Sequence, residues 1–204
     1  MMNTEPKRED VLTLEILDVI DRRKDVNQRH IAQHLGVALG LTNSYLKRCI
    51  RKGFVKVSQA PANRYLYYLT PKGFAEKSRL TAEYLSISFG FYRRAGDSCR
   101  RIFDVCEQQG WRRLLLCGIS DLAEIATVRA SERNIHIVGM HDPRATQALF
   151  LNRPVWTDLR EADSYDVCML TDLESSQASY QRLQKLMLPE RILVPDVLRL
   201  EGRP

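Results

Sequence analysis

The fold of the N-terminal half follows from residues 27–53, which read NQRHIAQHLGVALGLTNSYLKRCIRKG. Apolar residues recur at helical spacing over 27–35, and Asn27 is suited to cap that helix. Gly36 is expected to end it, and Gly40 to allow a second tight bend. The pattern then predicts a second helix over about residues 41–52.

The second helix has two contrasting sides. On a helical wheel, one side is mainly apolar and the other is polar or basic: Thr42, Leu46, Cys49 and Ile50 against Ser44, Lys47, Arg48 and Arg51. A short helix, a tight turn and a helix with a basic face are typical of a helix-turn-helix. An ordinary helical hairpin with a solvated basic face is the alternative.

The charge pattern around this stretch favours the first interpretation. Residues 26–75 contain no Asp or Glu, and their basic residues are Arg29, Lys47, Arg48, Arg51, Lys52, Lys56, Arg64 and Lys72. A solvated surface normally mixes both signs of charge. A block of one sign in a folded segment indicates a surface that binds a polyanion.

A β-hairpin is predicted directly after the two helices. Residues 54–58 and 64–70 are rich in β-branched and aromatic side chains, and they flank a turn-like segment. Helix-turn-helix plus hairpin makes a winged helix, with Arg64 near the tip of the wing. The residues expected to contact DNA are Arg29, Thr42, Asn43, Ser44, Lys47, Arg48, Arg51, Lys56 and Arg64.

Three runs of sequence carry a family resemblance. NQRHIAQHLGVALG, NSYLKRCIRKGFVKV and YLYYLTPKGFAEKSRLTAEYL resemble the MarR-type regulators associated with exopolysaccharide gene clusters, over about residues 11–85. The resemblance implies a dimeric, DNA-binding regulator of polysaccharide genes. The sequence departs from the family at His30, where an acidic residue is common, and at Leu41, where Lys is commoner. The operator preference of the family is therefore not carried over.

The region after the wing is predicted to be largely helical as far as Gly110. Apolar residues keep spacings of three or four along it, and Gly90 and Gly96 are expected to bend or break it. Its first part is interpreted as a dimer interface with Tyr84, Ile87 and Phe91. The alternative is packing within the chain, under the C-terminal domain.

From residue 111 the pattern changes to alternating strands and helices. About five strands are predicted, with short helices between them, as in a parallel doubly wound sheet. This domain resembles the nucleotide-binding domains of sugar-nucleotide enzymes and of redox-sensing regulators that join a winged helix to a Rossmann domain. The fold expected for the whole chain is an α+β winged helix-turn-helix domain (1–72), a helical connector (73–110) and a small α/β Rossmann-like domain with a parallel sheet (111–204).

A ligand is expected, if anywhere, at the carboxyl ends of these strands. The candidate residues are Gly118, Ile119, Ser120, Asp121, Asp142 and Thr171. The dinucleotide fingerprint retains only its first glycine, and Asp121 would repel a pyrophosphate at the helix N-terminus. A nucleotide or another small ligand therefore stays open, NAD is disfavoured, and a degenerate domain that makes protein contacts is the alternative.

Composition sets the remaining expectations. Residues 1–110 carry 19 basic and 12 acidic side chains, whereas residues 111–204 carry 12 and 13, so the excess charge belongs to the winged half. Five cysteines without a C-x-x-C pair, no signal peptide and no long apolar run predict a cytoplasmic protein that does not enter membranes.

The function predicted is that of a sequence-specific, homodimeric transcriptional regulator that binds double-stranded DNA and is not an enzyme. A small-molecule effector is a candidate second partner. One alternative is a redox-sensing repressor that reads NAD(H) or cysteine oxidation, with Cys117 as the thiol to test. A further alternative is an oxidoreductase fused to a DNA-binding module. No metal site is expected, because the pair His30 and His34 has no further ligand nearby in sequence.

Overall fold

The structure is a computed structural model that describes residues 8–22, 26–60 and 64–201; the side chains of Ala60 and Arg64 lie outside the description. The chain forms two units, Met1–Gly90 and Phe91–Pro204. The boundary falls inside the segment that the sequence assigns to a connector.

The first unit contains three helices and a β-hairpin, followed by the start of a long helix. In chain order these are α1 (Arg8–Arg22), α2 (Gln28–Leu35), α3 (Leu39–Arg51), β1 (Val55–Ala60), β2 (Arg64–Leu69) and α4 (Pro71–Gln108). The two strands pair antiparallel, from Val55 opposite Leu69 to Ala60 opposite Arg64. The order of elements agrees with the predicted helix-turn-helix and hairpin.

The ends of α2 follow from two residues that the sequence identifies. The Asn27 side chain accepts a hydrogen bond from the amide of His30 at 2.9 Å. Gly36 has the left-handed conformation, with φ at 61°, and ends the helix. The second bend predicted at Gly40 is wrong, because α3 begins at Leu39 and Gly40 lies within its first turn. One left-handed residue is enough to turn the chain here.

The hairpin and α4 are joined at a tight junction. The Thr70 hydroxyl donates to the carbonyl of Gly53 at 2.6 Å and accepts from the amide of Gly73 at 3.0 Å, so Thr70 caps α4. Pro71 occupies the first helical position, where its missing N–H costs nothing. A Cβ on Gly73 would lie 2.1 Å from the carbonyl oxygen of Phe54. The run Leu-Thr-Pro-Lys-Gly is therefore explained by capping and close packing.

The second unit is a six-stranded sheet with helices. It contains the C-terminal part of α4, β3 (Arg113–Cys117), α5 (Asp121–Ala130), β4 (His136–His141), β5 (Leu149–Phe150), β6 (Arg153–Trp156), β7 (Val167–Leu170), α6 (Ser176–Gln184) and β8 (Ile192–Leu193). The strand order is β5-β6-β4-β3-β7-β8, and every neighbouring pair is parallel except β5 with β6. The five parallel strands thus follow the order 3-2-1-4-5, which places the reversal of strand order between β3 and β7.

Several details of the second unit differ from the sequence prediction. The short strand β5 was not expected; it forms a hairpin with β6 through Leu151 and Asn152, which have positive φ of 51° and 57° without being glycine. The sequence favours Thr157 as the cap of a short helix after β6, but Asp158 caps the 3-10 helix Leu159–Glu161. The expected break at Gly90 and Gly96 does not occur, because α4 is one continuous helix.

The core of the second unit uses the later part of the α4 stripe. Ala95, Cys99, Phe103 and Cys106 are buried there together with residues of α5, β3, β4 and β7, and Phe91 packs against this cluster. The other face of the sheet is covered separately, around Leu115, Cys168 and Leu183. In the described part of the chain, no helix has both the length and the apolar character needed to cross a membrane.

The junction between hairpin and α4 generates a prediction about stability. Gly73→Ala should destabilise the first unit by roughly 1–3 kcal/mol, because the added Cβ meets a backbone carbonyl that cannot move freely. Urea unfolding followed by circular dichroism at 222 nm measures this. Gly40→Ala is the matched control, since a Cβ there meets nothing within 4 Å and Ala favours a helix. Equal stability of both variants would contradict the proposed packing role of Gly73.

Candidate functional site

The outward face of α3 carries three exposed residues in one line. Ser44, Lys47 and Arg51 are spaced by three and four positions and are all exposed. The opposite face, with Leu46 and Cys49, is buried in the core of the first unit. The helix therefore presents a polar and basic surface to solvent, as the sequence predicts.

Arg48 lies on the same side of α3 but is paired with an acidic side chain of the same protein. Its guanidinium forms an ion pair with the carboxylate of Glu9, at the start of α1. The two side chains are 37% and 42% exposed, so the pair is solvated and of modest strength. The sequence alone gave no sign of this contact, because it arises from the packing of α1 against α3. It reduces the charge that Arg48 offers to a polyanion.

Two residues predicted at the DNA surface are placed elsewhere. Thr42 is only 1% exposed and its hydroxyl donates to the carbonyl of Ala38, so its prediction as a contact residue is wrong. The reason is visible on the helical wheel, where Thr42 shares the buried side with Leu46. Asn43 is partly buried, and its Oδ1 has no hydrogen-bond partner among the described residues.

Further basic residues lie directly after α3 and on other elements of the first unit. Arg29 on α2 and Lys56 on β1 are exposed, whereas the side chain of Arg64 lies outside the described residues. The ammonium groups of Lys52 and Lys72 lie 5.7 and 5.6 Å from the centre of the Phe54 ring, which fits a cation–π contact. Lys52 and Lys72 are not among the residues that the sequence predicts to contact DNA.

A family comparison agrees with this geometry. Residues 9–56 match the family model described as winged helix-turn-helix DNA-binding. The segment is a winged helix-turn-helix. The match covers the first three helices and the start of the hairpin, which include the exposed face of α3.

Solved structures give weaker likenesses. The chain is similar to MepR, a transcription regulator of the Staphylococcus aureus multidrug efflux pump MepA (19% identity over 42% of this chain and 63% of that chain, TM-score 0.36). It is also similar to a Mycobacterium tuberculosis MarR family protein in complex with p-aminosalicylic acid (18% identity over 48% of this chain and 77% of that chain, TM-score 0.37). A third similar structure is Streptococcus pneumoniae FabT in complex with DNA (21% identity over 63% of this chain and 71% of that chain, TM-score 0.34).

These likenesses do not assign the chain to a family, because the identities are low and the TM-scores lie below 0.5. The chain spans less than two thirds of the MepR chain. Among curated proteins, none matches this sequence.

The three residues predicted for a dimer interface have different environments in the structure. Tyr84 is 44% exposed, Ile87 is half-buried, and Phe91 packs against the core of the second unit. Phe91 is therefore committed to packing within its own chain, the alternative that the sequence left open. The more exposed apolar residues of this helix in the first unit are Phe74 (49%), Leu85 (45%) and Phe89 (58%).

The ligand candidates of the second unit do lie together. Gly118 follows β3, Asp142 follows β4 and Thr171 follows β7, so all three lie at the carboxyl ends of neighbouring strands. The Thr171 hydroxyl donates to the carbonyl of Gly118 at 2.6 Å, and the amide of Ile119 donates to Asp142 Oδ2 at 3.1 Å. These polar groups are therefore already paired with one another.

Backbone amides at the N-terminus of α5 are also already hydrogen-bonded within the chain. Ser120 Oγ accepts from the amides of Leu122 and Ala123, at 3.1 and 3.4 Å, and donates to the carbonyl of Thr171. Asp121 is exposed in the first helical turn, where its charge suits the helix dipole. A pyrophosphate would have to displace the serine hydroxyl and approach the aspartate.

An ion-paired bridge spans the crevice between two strand ends. Arg144 Nη2 lies 2.9 Å from Asp172 Oδ2, and Arg144 Nε lies 3.5 Å from Asp142 Oδ1. Both carboxylates are buried, and Asp172 also accepts from the hydroxyl of Ser179 and the amide of Ser175. Burial opposes ionisation of Asp172, but these hydrogen bonds and Arg144 outweigh it and lower its pKa.

The sequence prediction missed both Asp172 and Arg144. Asp172 has a usable signal, since it follows an apolar strand just as Asp142 does. Arg144 has none, because its position depends on the loop that leads away from β4. A solvent-open cleft borders the bridge: Asp142, Arg144 and Asp172 line it together with polar residues such as Gln147 and Glu174.

All five cysteines and His141 are buried. Burial raises the pKa of Cys49 to about 11 and of Cys99 and Cys106 to about 12. A hydrogen bond with Cys168, together with burial, raises the pKa of Cys117 well above its usual range. His141 is buried with Nδ1 3.1 Å from the carbonyl of Trp156, and burial lowers its pKa. A reactive thiolate at neutral pH is therefore not favoured.

The bridge generates a prediction about acid stability. The lowered pKa of Asp172 means that its stabilising effect is complete above 3.8, the usual value, and is lost as the pH falls through the lower, folded value. Asp172→Asn should reduce the free energy of unfolding at pH 7 by roughly 1–3 kcal/mol and should weaken its decline below pH 4.

Tryptophan fluorescence during urea unfolding measures this, because Trp111 and Trp156, the only two tryptophans, both belong to the second unit. Asp163→Asn, an exposed site with the same charge change, is the matched control. If both variants keep the stability of the wild type, the bridge does not stabilise this unit.

Proposed function

We propose that this chain is a sequence-specific DNA-binding transcriptional regulator. The observation that carries the proposal is the exposed basic face of α3 within a winged helix-turn-helix. A recognition helix of this kind enters the major groove and places its outward side chains against bases and phosphates. The absence of Asp and Glu from residues 26–75 suits this role.

Within this surface, the residues have different roles. Four basic residues are exposed and contact phosphates: Arg29, Lys47, Arg51 and Lys56. Arg64, at the start of β2, has the same role. Ser44 lies centrally on α3 and faces base edges. Arg48 acts more weakly than its position in the sequence suggests, because its ion pair with Glu9 reduces the charge that it offers.

The regulator acts as a homodimer through the exposed side of α4. Phe74, Leu85 and Phe89 return to one side of the helix at spacings of eleven and four, and each is about half-exposed. Tyr84 lies beside this strip, Ile87 is half-buried, and Phe91 packs within the chain. Two-fold pairing matches the two half-sites of an operator.

The second unit is a Rossmann-like domain. Its order of parallel strands supports this fold. The polar groups at the ends of its strands are paired with one another, so NAD(H) binds weakly at most. A smaller effector would enter the solvent-open cleft beside Arg144. The target genes, following the sequence resemblance, belong to polysaccharide production, and the protein acts in the cytoplasm.

Two alternatives remain distinguishable by experiment. A redox-sensing repressor would release DNA when NADH or an oxidant is added, and an oxidoreductase would turn over a nicotinamide cofactor. Buried thiols with raised pKa values and a buried histidine weigh against both. Tight NADH binding in calorimetry, together with release from DNA, would favour the redox sensor.

The DNA surface is tested by removing single charges. Lys47→Ala and Arg51→Ala should each weaken binding to all duplexes and should make the slope of log affinity against log salt less negative by about one. Fluorescence anisotropy at several salt concentrations measures both effects. Lys185→Ala, an exposed lysine of the second unit, is the control and should change neither. Binding by the wild type that is independent of salt would refute the proposed surface.

The dimer surface is tested by introducing charge. The double variant Leu85→Asp/Phe89→Asp should sediment as a monomer and bind DNA at least tenfold more weakly, because two carboxylates would be buried in an apolar seam. Ser86→Asp adds one charge beside the strip and should remain dimeric. A double variant that still sediments as a dimer would place the interface elsewhere.

A further inference from the structure

The outward face of α3 includes an apolar side chain that its charge pattern does not explain. Leu41 is 38% exposed and lies three and seven residues before Ser44 and Arg48, so it shares their side of the helix. Leu39 is more exposed, at 47%, but points roughly 200° away around the helix axis. Of these two leucines, only Leu41 belongs to the surface proposed to meet DNA.

The surroundings of Leu41 leave it accessible. Ala38, before the helix, is small and makes no side-chain cap hydrogen bond. Gly40 has no side chain, and a Cβ added there would meet nothing within 4 Å. Leu41 is therefore the bulkiest side chain on this side of the first turn. Its position allows contact with a surface that approaches the helix N-terminus.

The chemistry of the major groove restricts what an apolar side chain can recognise there. Bases present donors and acceptors in this groove, and the C5-methyl group of thymine is the apolar feature among them. The N-terminal residues of a recognition helix are those that contact base edges. A leucine gains nothing from phosphate or from a hydrogen-bonding edge, but it gains from covering a methyl group.

We propose that Leu41 determines sequence specificity by packing against the C5-methyl group of a thymine in the bound duplex. The inference rests on the proposed DNA binding and adds a particular base to it. Lys47 and Arg51 then supply affinity without regard to sequence, whereas Leu41 favours thymine at one position. Cytosine and uracil lack this methyl group and are disfavoured at that position.

The test uses the full chain and a duplex selected by the wild type from a random-sequence pool. Each thymine of the selected duplex is replaced in turn by deoxyuridine, which removes the methyl group and leaves base pairing intact. At one thymine of each site the wild type should lose affinity about fourfold, the change expected from exposing one methyl-sized group. The other thymines should tolerate the replacement.

Three variants connect this effect to Leu41. Leu41→Ala should bind the selected duplex more weakly and should no longer distinguish thymine from deoxyuridine at the sensitive position. Leu41→Met, still apolar and of similar size, should keep the distinction. Leu39→Ala is the matched control on another side of the helix and should behave as the wild type. Both alanine variants should fold, because these side chains are exposed and Ala favours a helix.

The outcomes separate the two proposals. If the wild type selects and binds a duplex but no deoxyuridine replacement weakens binding, the role of Leu41 is refuted and the DNA-binding function stands. If Leu41→Ala keeps full sensitivity at the critical thymine, another residue reads that methyl group and the inference is equally wrong. If no duplex is selected at any salt concentration, the proposed function itself fails.

Discussion

The hydroxyl of Thr70 makes the contact on which the arrangement of the first unit depends. It binds the carbonyl of Gly53, at the turn after α3, and the amide of Gly73, in the first turn of α4. Because Gly73 lacks a Cβ, α4 can begin directly against the Phe54 carbonyl. The end of α3, the hairpin and the start of α4 are thereby fixed within a few ångströms of one another. Lys77 reinforces the position of α4 with ion pairs to Asp18 and Asp21 of α1.

This fixed frame determines which side chains of α3 are available. The apolar side of α3 is held in the core, so Ser44, Lys47 and Arg51 must face solvent. The same packing brings α1 close enough for Glu9 to reach Arg48. A surface that is free of acidic residues in sequence is therefore not free of acidic groups in space. Charge counting along a sequence identifies such a surface, but the strength of each basic residue depends on elements that are distant in the chain.

The sequence predicts elements well where the determining interaction is local. The Asn27 cap, the left-handed Gly36 and, apart from the short β5, the alternation of strands and helices in the second unit follow from short-range signals. The errors arise where tertiary packing decides. Gly90 and Gly96 do not interrupt α4; at Gly96, the absence of a Cβ leaves room for the Arg129 guanidinium. The β5–β6 turn uses Leu151 and Asn152 at positive φ, a conformation for which Leu gives no signal.

The crevice of the second unit shows the limit of reasoning from topology. Strand order places Gly118, Asp142 and Thr171 together, as expected for a ligand site at the carboxyl ends of parallel strands. The groups that would bind a ligand are nevertheless satisfied internally, by Ser120 at the helix N-terminus and by Arg144 between two carboxylates. A ligand would have to replace hydrogen bonds that are already made, and it would gain only the difference. Occupancy of such a crevice depends on side-chain pairing, which fold and strand order alone do not determine.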